Sequence, residues 1–431
     1  IDPTSTYKGK AKSALGVFFC FYFVTTTWLC DVYLFPILFA FLVGPARPIF
    51  RTLSNVIQNL LLSMAVFMVE CISGTKVVVS TNKTMQEGFT CFMISNHRTR
   101  LDWMYLWSVG FRFGLLSSMK IVTKAELRKV PFIGWAMQMF GYLFLERKWE
   151  VDKQFISDTV TYFAESESTM SPLIFPEGTD LNEKSRAASH AYAEKVGAPK
   201  FEYVLLPRVA GFRHLLTQLG NDVHILMDIT MAYKDYVRGE RPNEASLIAG
   251  RFPKEVHIHI DMFPISDIPT GEEALAKWLV ERWSKKEAVL KAFYEENKSF
   301  EGTPYRLPVI KKTMMLVAGL LQLVLHVMGG VALFTDAWWR WWFFGWTAVY
   351  FLCSQFGGID KFNVWMHMFI RSKLPAHMRP KRGDLKAAQA KSIFKKIIAA
   401  KGQKSGSAQL SKPSQPSTTE VPGTVDSKKT Q

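Results

Sequence analysis

In the stretch CFMISNHRTRLDWMYLWSV (91–109), His97 and Asp102 have the types and spacing for acid–base chemistry. Within one continuous α-helix, residues five apart point about 140° away from each other. A working couple therefore needs His97 in a loop and Asp102 in the first turns of a helix. The sequence predicts that arrangement: an apolar strand-like run through Ser95, a polar turn NHRT, then the helix-like RLDWMYLW. A carboxylate so placed accepts from imidazole Nδ1–H and fixes the tautomer that leaves Nε2 as a base. Chance supplies a His with Asp five residues on about 0.3 times in a chain of this composition. The spacing alone thus equally describes a buried histidine with an acid nearby.

Three further blocks place polar residues after strand-like runs. In SPLIFPEGTDLNEKS (171–185), Pro176 stops an apolar run and EGT makes a tight turn. Glu177 then falls at a strand's carboxyl end, where α/β sheets bind ligands. Gly178 permits close backbone approach and exposed amides. The same letters also describe a plain turn with a solvated glutamate. In KAELRKVPFIGWAMQMFGYLFLERKW (124–149), Lys124 opens the segment and Arg147 follows GYLFL. Two cations beside a gap suit a phosphate, or each pairs with Glu126 or Glu146. YVLLPRVAGF (203–212) puts Pro207, Arg208 and Gly211 after another such run.

These residues need a scaffold that gathers strand ends. Between about 75 and 300, short apolar runs at 76–80, 89–95, 141–145, 172–175, 203–206, 223–233 and 255–263 alternate with helical patterns. The helices are expected at 100–110, 149–165, 184–196, 211–219 and 271–297. That alternation predicts an α/β fold.

Flanking this region, the chain is strongly apolar. Residues 14–44, interrupted by Asp31 and Pro36, and 56–74 predict N-terminal membrane helices that either span or rest in one leaflet. Residues 314–335 carry no formal charge and predict a transmembrane helix; WWFFGWTAVYFLC (341–353) predicts its return. The expected organisation is 1–74 membrane-embedded helices, 75–300 catalytic domain, 311–356 transmembrane hairpin and 371–431 a basic, largely disordered tail. Within that tail, 385–400 reads as a basic amphipathic helix suited to an anionic membrane surface.

The net charge is +16, but residues 371–404 hold eleven Lys/Arg against Asp384, a net of +10, leaving +6 for the rest. Charge gathered beside hydrophobic spans, with no nucleic-acid-binding motif, argues against nucleic acid as a partner. The five cysteines lack C-x-x-C spacing, which argues against zinc and against a disulfide framework. His257 and His259 share a strand face but lack further ligands, so no metal site is expected. Asp228 ends a buried-looking run and is a candidate support for the site. Lys311-Lys312 before the hairpin and the basic tail after it predict both ends on the cytosolic side. The terminal KKTQ resembles a dilysine retrieval signal of the endoplasmic reticulum.

The four blocks, in this order, resemble the glycerophospholipid (lysophosphatidic acid) acyltransferase family. Its N-H-x-x-x-x-D, K-x-E-L-x-x-x-P-x-x-G with an arginine block, F-P-E-G-T and V-x-x-P motifs match Asn96–Asp102, Lys124–Gly134 with Arg147, Phe175–Thr179 and Val204–Pro207. The wording NHRTRLDWM, GWAMQ and FPEGTDL is closer to the lysocardiolipin acyltransferase-like branch. Where many relatives have aspartate before the arginine, this chain has Glu146.

The resemblance implies a mixed central sheet flanked by helices. It also implies transfer of a fatty acyl group from acyl-CoA, a co-substrate, to a lysophospholipid hydroxyl, with His97 as general base and Asp102 orienting it. No cofactor is implied. Arg147, Glu177 and the turn residues Gly178 and Thr179 would bind the acceptor, with Lys124 assisting. A multi-pass endoplasmic reticulum protein with a cytosolic catalytic domain, working in phospholipid biosynthesis or remodelling, is the expectation. The alternatives are a dedicated 1-acylglycerol-3-phosphate acyltransferase making phosphatidic acid, and a non-catalytic membrane scaffold.

Overall fold

The computed structural model of the protein describes residues 2–41, 47–82, 89–166, 168–234, 240–296, 299–375 and 377. The amphipathic stretch expected at 385–400 and the KKTQ terminus lie outside these residues.

An eight-stranded mixed sheet forms the centre, in the order β4-β3-β5-β2-β6-β7-β1-β8. The strands are β1 (Lys76–Thr81), β2 (Cys91–Ser95), β3 (Met119–Lys124), β4 (Leu143–Leu145), β5 (Ser171–Ile174), β6 (Ile225–Lys234), β7 (Glu255–Pro264) and β8 (Thr303–Pro304). From β4 to β6 every pairing is parallel; β6 and β7 are antiparallel. Every residue of β2 is buried, as a strand covered on both faces requires. The helices Asp102–Phe113, Trp149–Glu165, Glu183–Val196, Val209–Leu219 and Glu272–Glu295 lie where the periodicity predicts.

Two local expectations fail for physical reasons. Residues 203–206 form no strand, because their backbone donors are already taken. Glu287 accepts from the amides of Glu202, Tyr203 and Val204 at 2.8, 2.8 and 3.2 Å, and Ser189 Oγ from Leu206 at 2.9 Å. Conversely, β3 is a strand whose lysines mask its apolar pattern. Lys120 is 0% exposed, and its Nζ donates to Gln58 Oε1 at 2.6 Å and to Ser117 O at 3.0 Å. Burial, with Arg51 nearby, holds its ammonium well below the usual lysine range.

The partner of Lys120 belongs to the N-terminal helices. The first, Ala14–Leu29, runs on through a π-helical turn, Cys30–Leu34, into Phe35–Leu38. Pro36 has no N–H to offer the carbonyl four residues back. That carbonyl, Val32 O, instead accepts from Trp342 Nε1 at 2.8 Å. The second helix, Arg47–Phe67, turns its polar residues onto the body built around the sheet. Arg51 and Ser54 donate to Met139 O at 2.9 and 2.8 Å, and Gln58 Nε2 to Leu116 O and Met119 O at 2.6 and 2.8 Å.

The C-terminal hairpin comprises Val309–Thr335 and Ala337–Gln355, joined at Asp336, which caps the second helix through Trp338 N at 2.7 Å. Among the described residues, three helical stretches are long and apolar enough to cross a membrane: Ala14–Leu38, Arg47–Ile72 and Val309–Thr335. A last helix, Ile359–Lys373, returns to the body built around the sheet. There Asp360 meets buried Arg128 at 3.0 Å, and Glu165 holds His367 and Arg371.

Candidate active site

β2 delivers its chain to the site at Ser95, and residues 96–101 leave the sheet before the helix Asp102–Phe113 begins. Asn96 fastens this exit to β6, donating to Met231 O at 3.1 Å and accepting from Met231 N at 2.8 Å. His97 Nδ1 then lies 2.9 Å from Asp102 Oδ2. The Asp102 side chain is 0% exposed and that of His97 17%. Asp102 also accepts the Tyr233 hydroxyl at 2.5 Å and the Thr99 amide at 3.2 Å from both oxygens. These donors satisfy a carboxylate buried without solvent. Burial, with Asp102 alongside, pushes the Tyr233 hydroxyl well above the usual tyrosine range, so it stays a proton donor. The imidazole stacks on Phe175, centroids 4.2 Å apart. With Nδ1 engaged, Nε2 has no protein hydrogen-bond partner among the described residues.

The PEGT turn lies against this loop. Glu177 Oε1 accepts from the His97 amide at 3.2 Å and from Trp283 Nε1 at 3.0 Å; the Leu205 amide also faces the carboxylate. The residue is 3% exposed, so its carboxylate faces inward and not toward solvent. This burial departs from the plain turn with a solvated glutamate that the same letters describe. Burial lifts its pKa to about 7 against the opposing pull of these bonds. Gly178, at φ +73°, adopts a backbone conformation that a side chain resists, and Thr179 follows it, partly buried.

The cations sit along the same edge. In the order β4-β3-β5-β2, the parallel strands end toward Arg147, Lys124, Glu177 and His97. Arg147 pairs with neither Glu126 nor Glu146; its Nη2 donates to Gly178 O at 2.8 Å. Glu146 is held by Lys361 and Arg128 instead. Arg147 has φ +60°, a strained value for a non-glycine residue, and is exposed. Lys124 is exposed at the end of β3. Of the backbone amides beside the imidazole, Gly178 N is already bonded to Phe175 O at 2.9 Å and His97 N to Glu177.

Family models match in two pieces, one described as acyltransferase over residues 76–233 and one as acyltransferase C-terminus over 246–320. Lysocardiolipin acyltransferase 1 of Gallus gallus is 36% identical over 349 residues, which is 77% of this chain and 91% of that protein. This chain belongs to the lysophospholipid acyltransferase family. Lysocardiolipin acyltransferase 1 of Danio rerio is 39% identical over 66% of this chain and 72% of that protein. Lysophosphatidylinositol acyltransferase 10 of Caenorhabditis elegans is 38% identical over 53% and 59%.

Two features of this acyltransferase escape its motifs. Tyr233 reaches Asp102 from 131 residues away, and Trp283 reaches Glu177 from 106. Only the strand pattern ending at Tyr233 hinted at the first, and nothing local marked the second. Asp228 lies opposite Ile94 in β2, where Arg282 and Lys286 bond it, so it braces the sheet and touches no part of the His97 couple. His257 and His259 bond to Glu255 at 2.6 Å and Asp261 at 3.3 Å.

Proposed function

We propose that this acyltransferase moves a fatty acyl group from acyl-CoA to a free glycerol hydroxyl of a lysophospholipid, with His97 as general base. The hydrogen bond from His97 Nδ1 to buried Asp102 carries the reading, because it leaves Nε2 as the basic nitrogen. The acceptor hydroxyl gives its proton to Nε2 as its oxygen bonds to the thioester carbonyl carbon. The carbon–sulfur bond then breaks, and the imidazolium returns the proton to the departing CoA thiolate. Asp102 stabilises that imidazolium, and Tyr233 keeps the carboxylate aimed. General-base assistance of this kind contributes about 10²–10⁴-fold.

Arg147 and Lys124 bind the acceptor's phosphate at the strand ends, and Gly178 and Thr179 shape the turn beside it. The apolar helices hold the catalytic edge at a membrane, where a lysolipid is presented. We place that membrane in the endoplasmic reticulum with the catalytic domain on the cytosolic side, on the charge distribution around the hairpin. The names of the relatives support a remodelling substrate, lysocardiolipin or lysophosphatidylinositol, ahead of lysophosphatidic acid.

The purified protein in nanodiscs, given radiolabelled oleoyl-CoA and these three lysolipids, should acylate at least one. His97→Ala should abolish transfer with membrane insertion retained. No product from any lysolipid would favour a scaffold, and near-normal turnover by His97→Ala would remove the base.

A further inference from the structure

His97 is held by its main chain as well as by its ring. Its N–H donates to Glu177 Oε1 at 3.2 Å, and its carbonyl accepts from Leu181 N at 2.8 Å. Both partners belong to the turn after β5, which therefore brackets the histidine from two sides. The turn is itself pinned: Gly178 N donates to Phe175 O at 2.9 Å and Arg208 N to Pro176 O at 2.8 Å.

The Glu177 carboxylate has one side-chain donor, Trp283 Nε1. Trp283 is wholly buried on the helix Glu272–Glu295, between two residues that grip the sheet. Arg282 Nε and Lys286 Nζ reach the two oxygens of Asp228 at 2.5 and 2.6 Å, and Lys286 lies over the Trp283 ring at 5.1 Å. Asp228 stands opposite Ile94, on the strand that leads to His97. The indole is thus fixed from the sheet side and offers one aimed N–H to one carboxylate oxygen. That oxygen in turn fixes the backbone of the histidine.

We infer that Trp283 is a positioning residue for the transfer reaction, acting through Glu177 on the main chain of His97. The inference rests on the reading of His97 as the base. Displacement of a reacting group by about 1 Å costs up to about 100-fold in rate. An acceptor ligand removed by mutation instead weakens binding.

The test is steady-state kinetics of wild type, His97→Ala, Trp283→Phe and Glu177→Met in nanodiscs, with oleoyl-CoA and the best lysolipid. Trp283→Phe removes the N–H with its five-membered ring and keeps an aromatic ring in place; Glu177→Met removes the accepting oxygen, which glutamine would retain. Trp283→Phe should lower kcat about tenfold, with KM for both substrates within twofold of wild type, and Glu177→Met should give the same split. Unchanged kcat in Trp283→Phe, or a loss confined to a higher lysolipid KM in either variant, overturns the inference. If Trp283→Phe does not fold, Glu177→Met decides the matter by the same split. Activity in His97→Ala would instead bring down the base, a result separable from the other two.

Discussion

The Tyr233 hydroxyl donates to Asp102 Oδ1 at 2.5 Å, from the far end of β6 to the first residue of the helix that follows the histidine loop. The acid of the couple is therefore oriented by a strand outside the motif that contains it. Tyr233→Phe removes this donor and leaves a buried carboxylate oxygen without it. Loss of a bond to a charged group costs about 1.5–3 kcal/mol, so kcat should fall about 10- to 100-fold. Asp102→Asn, which disturbs the tautomer itself, should cost more. Single-turnover rates with saturating oleoyl-CoA compare the two directly; equal losses would give Tyr233 a larger part than orientation.

Arg147 is bonded to Gly178 O, and Arg208 lies against the same glycine, with its guanidinium carbon 3.6 Å from where a Cβ would stand. Two guanidinium groups beside one turn suit an anionic head group. Arg147→Ala and Arg208→Ala should each raise the lysolipid KM, about fivefold or more, with a smaller effect on kcat. An uncharged monoacylglycerol acceptor should show no such difference between wild type and variants.

The raised pKa of Glu177 makes stability depend on pH. Moved from 4.5 to about 7 by burial, the folded protein binds this proton more tightly than the unfolded chain does. Its contribution is therefore full below about pH 4.5 and is lost as pH rises through 7, by up to about 3 kcal/mol. Glu177→Gln should flatten the wild type's decline in melting temperature between pH 5 and 7.5. A variant that declines in parallel with wild type would assign the dependence to another group.

Arg128 and Asp360 form a buried pair 3.0 Å apart between the catalytic domain and the helix after the hairpin. Removing one partner strands the other charge, at a cost of about 3–5 kcal/mol. Asp360→Ala should expose the helix Ile359–Lys373 to protease well before the sheet unfolds. Limited proteolysis read by mass spectrometry checks this, and unchanged cleavage would contradict it.

The scaffold was legible where one periodicity governed a segment. β2 reads as an apolar run because both its faces are covered, and helix 183–196 follows its capping residue Asn182. The His97–Asp102 couple was legible because its geometry depends only on a local loop-to-helix boundary. β3 was not, because Lys120 looks like a surface residue until Gln58 of a distant helix supplies its partner. The run at 203–206 misled for the opposite reason: its letters suit a strand, but Glu287 takes the amides that a ladder would use. The cover over Glu177 was not legible, because Trp283 lies in another part of the chain.

Both feet of the C-terminal hairpin stand on the same body. Lys311 Nζ bonds Arg112 O at 2.7 Å at one foot, and Ile359 N bonds Gln138 Oε1 at 2.8 Å at the other. The chain therefore comes back to the body it left, and these two contacts hold its outgoing and returning ends. With 27 residues the outbound helix rises about 40 Å, so a label at Asp336 would report whether, and how far, the tip of the hairpin enters a bilayer.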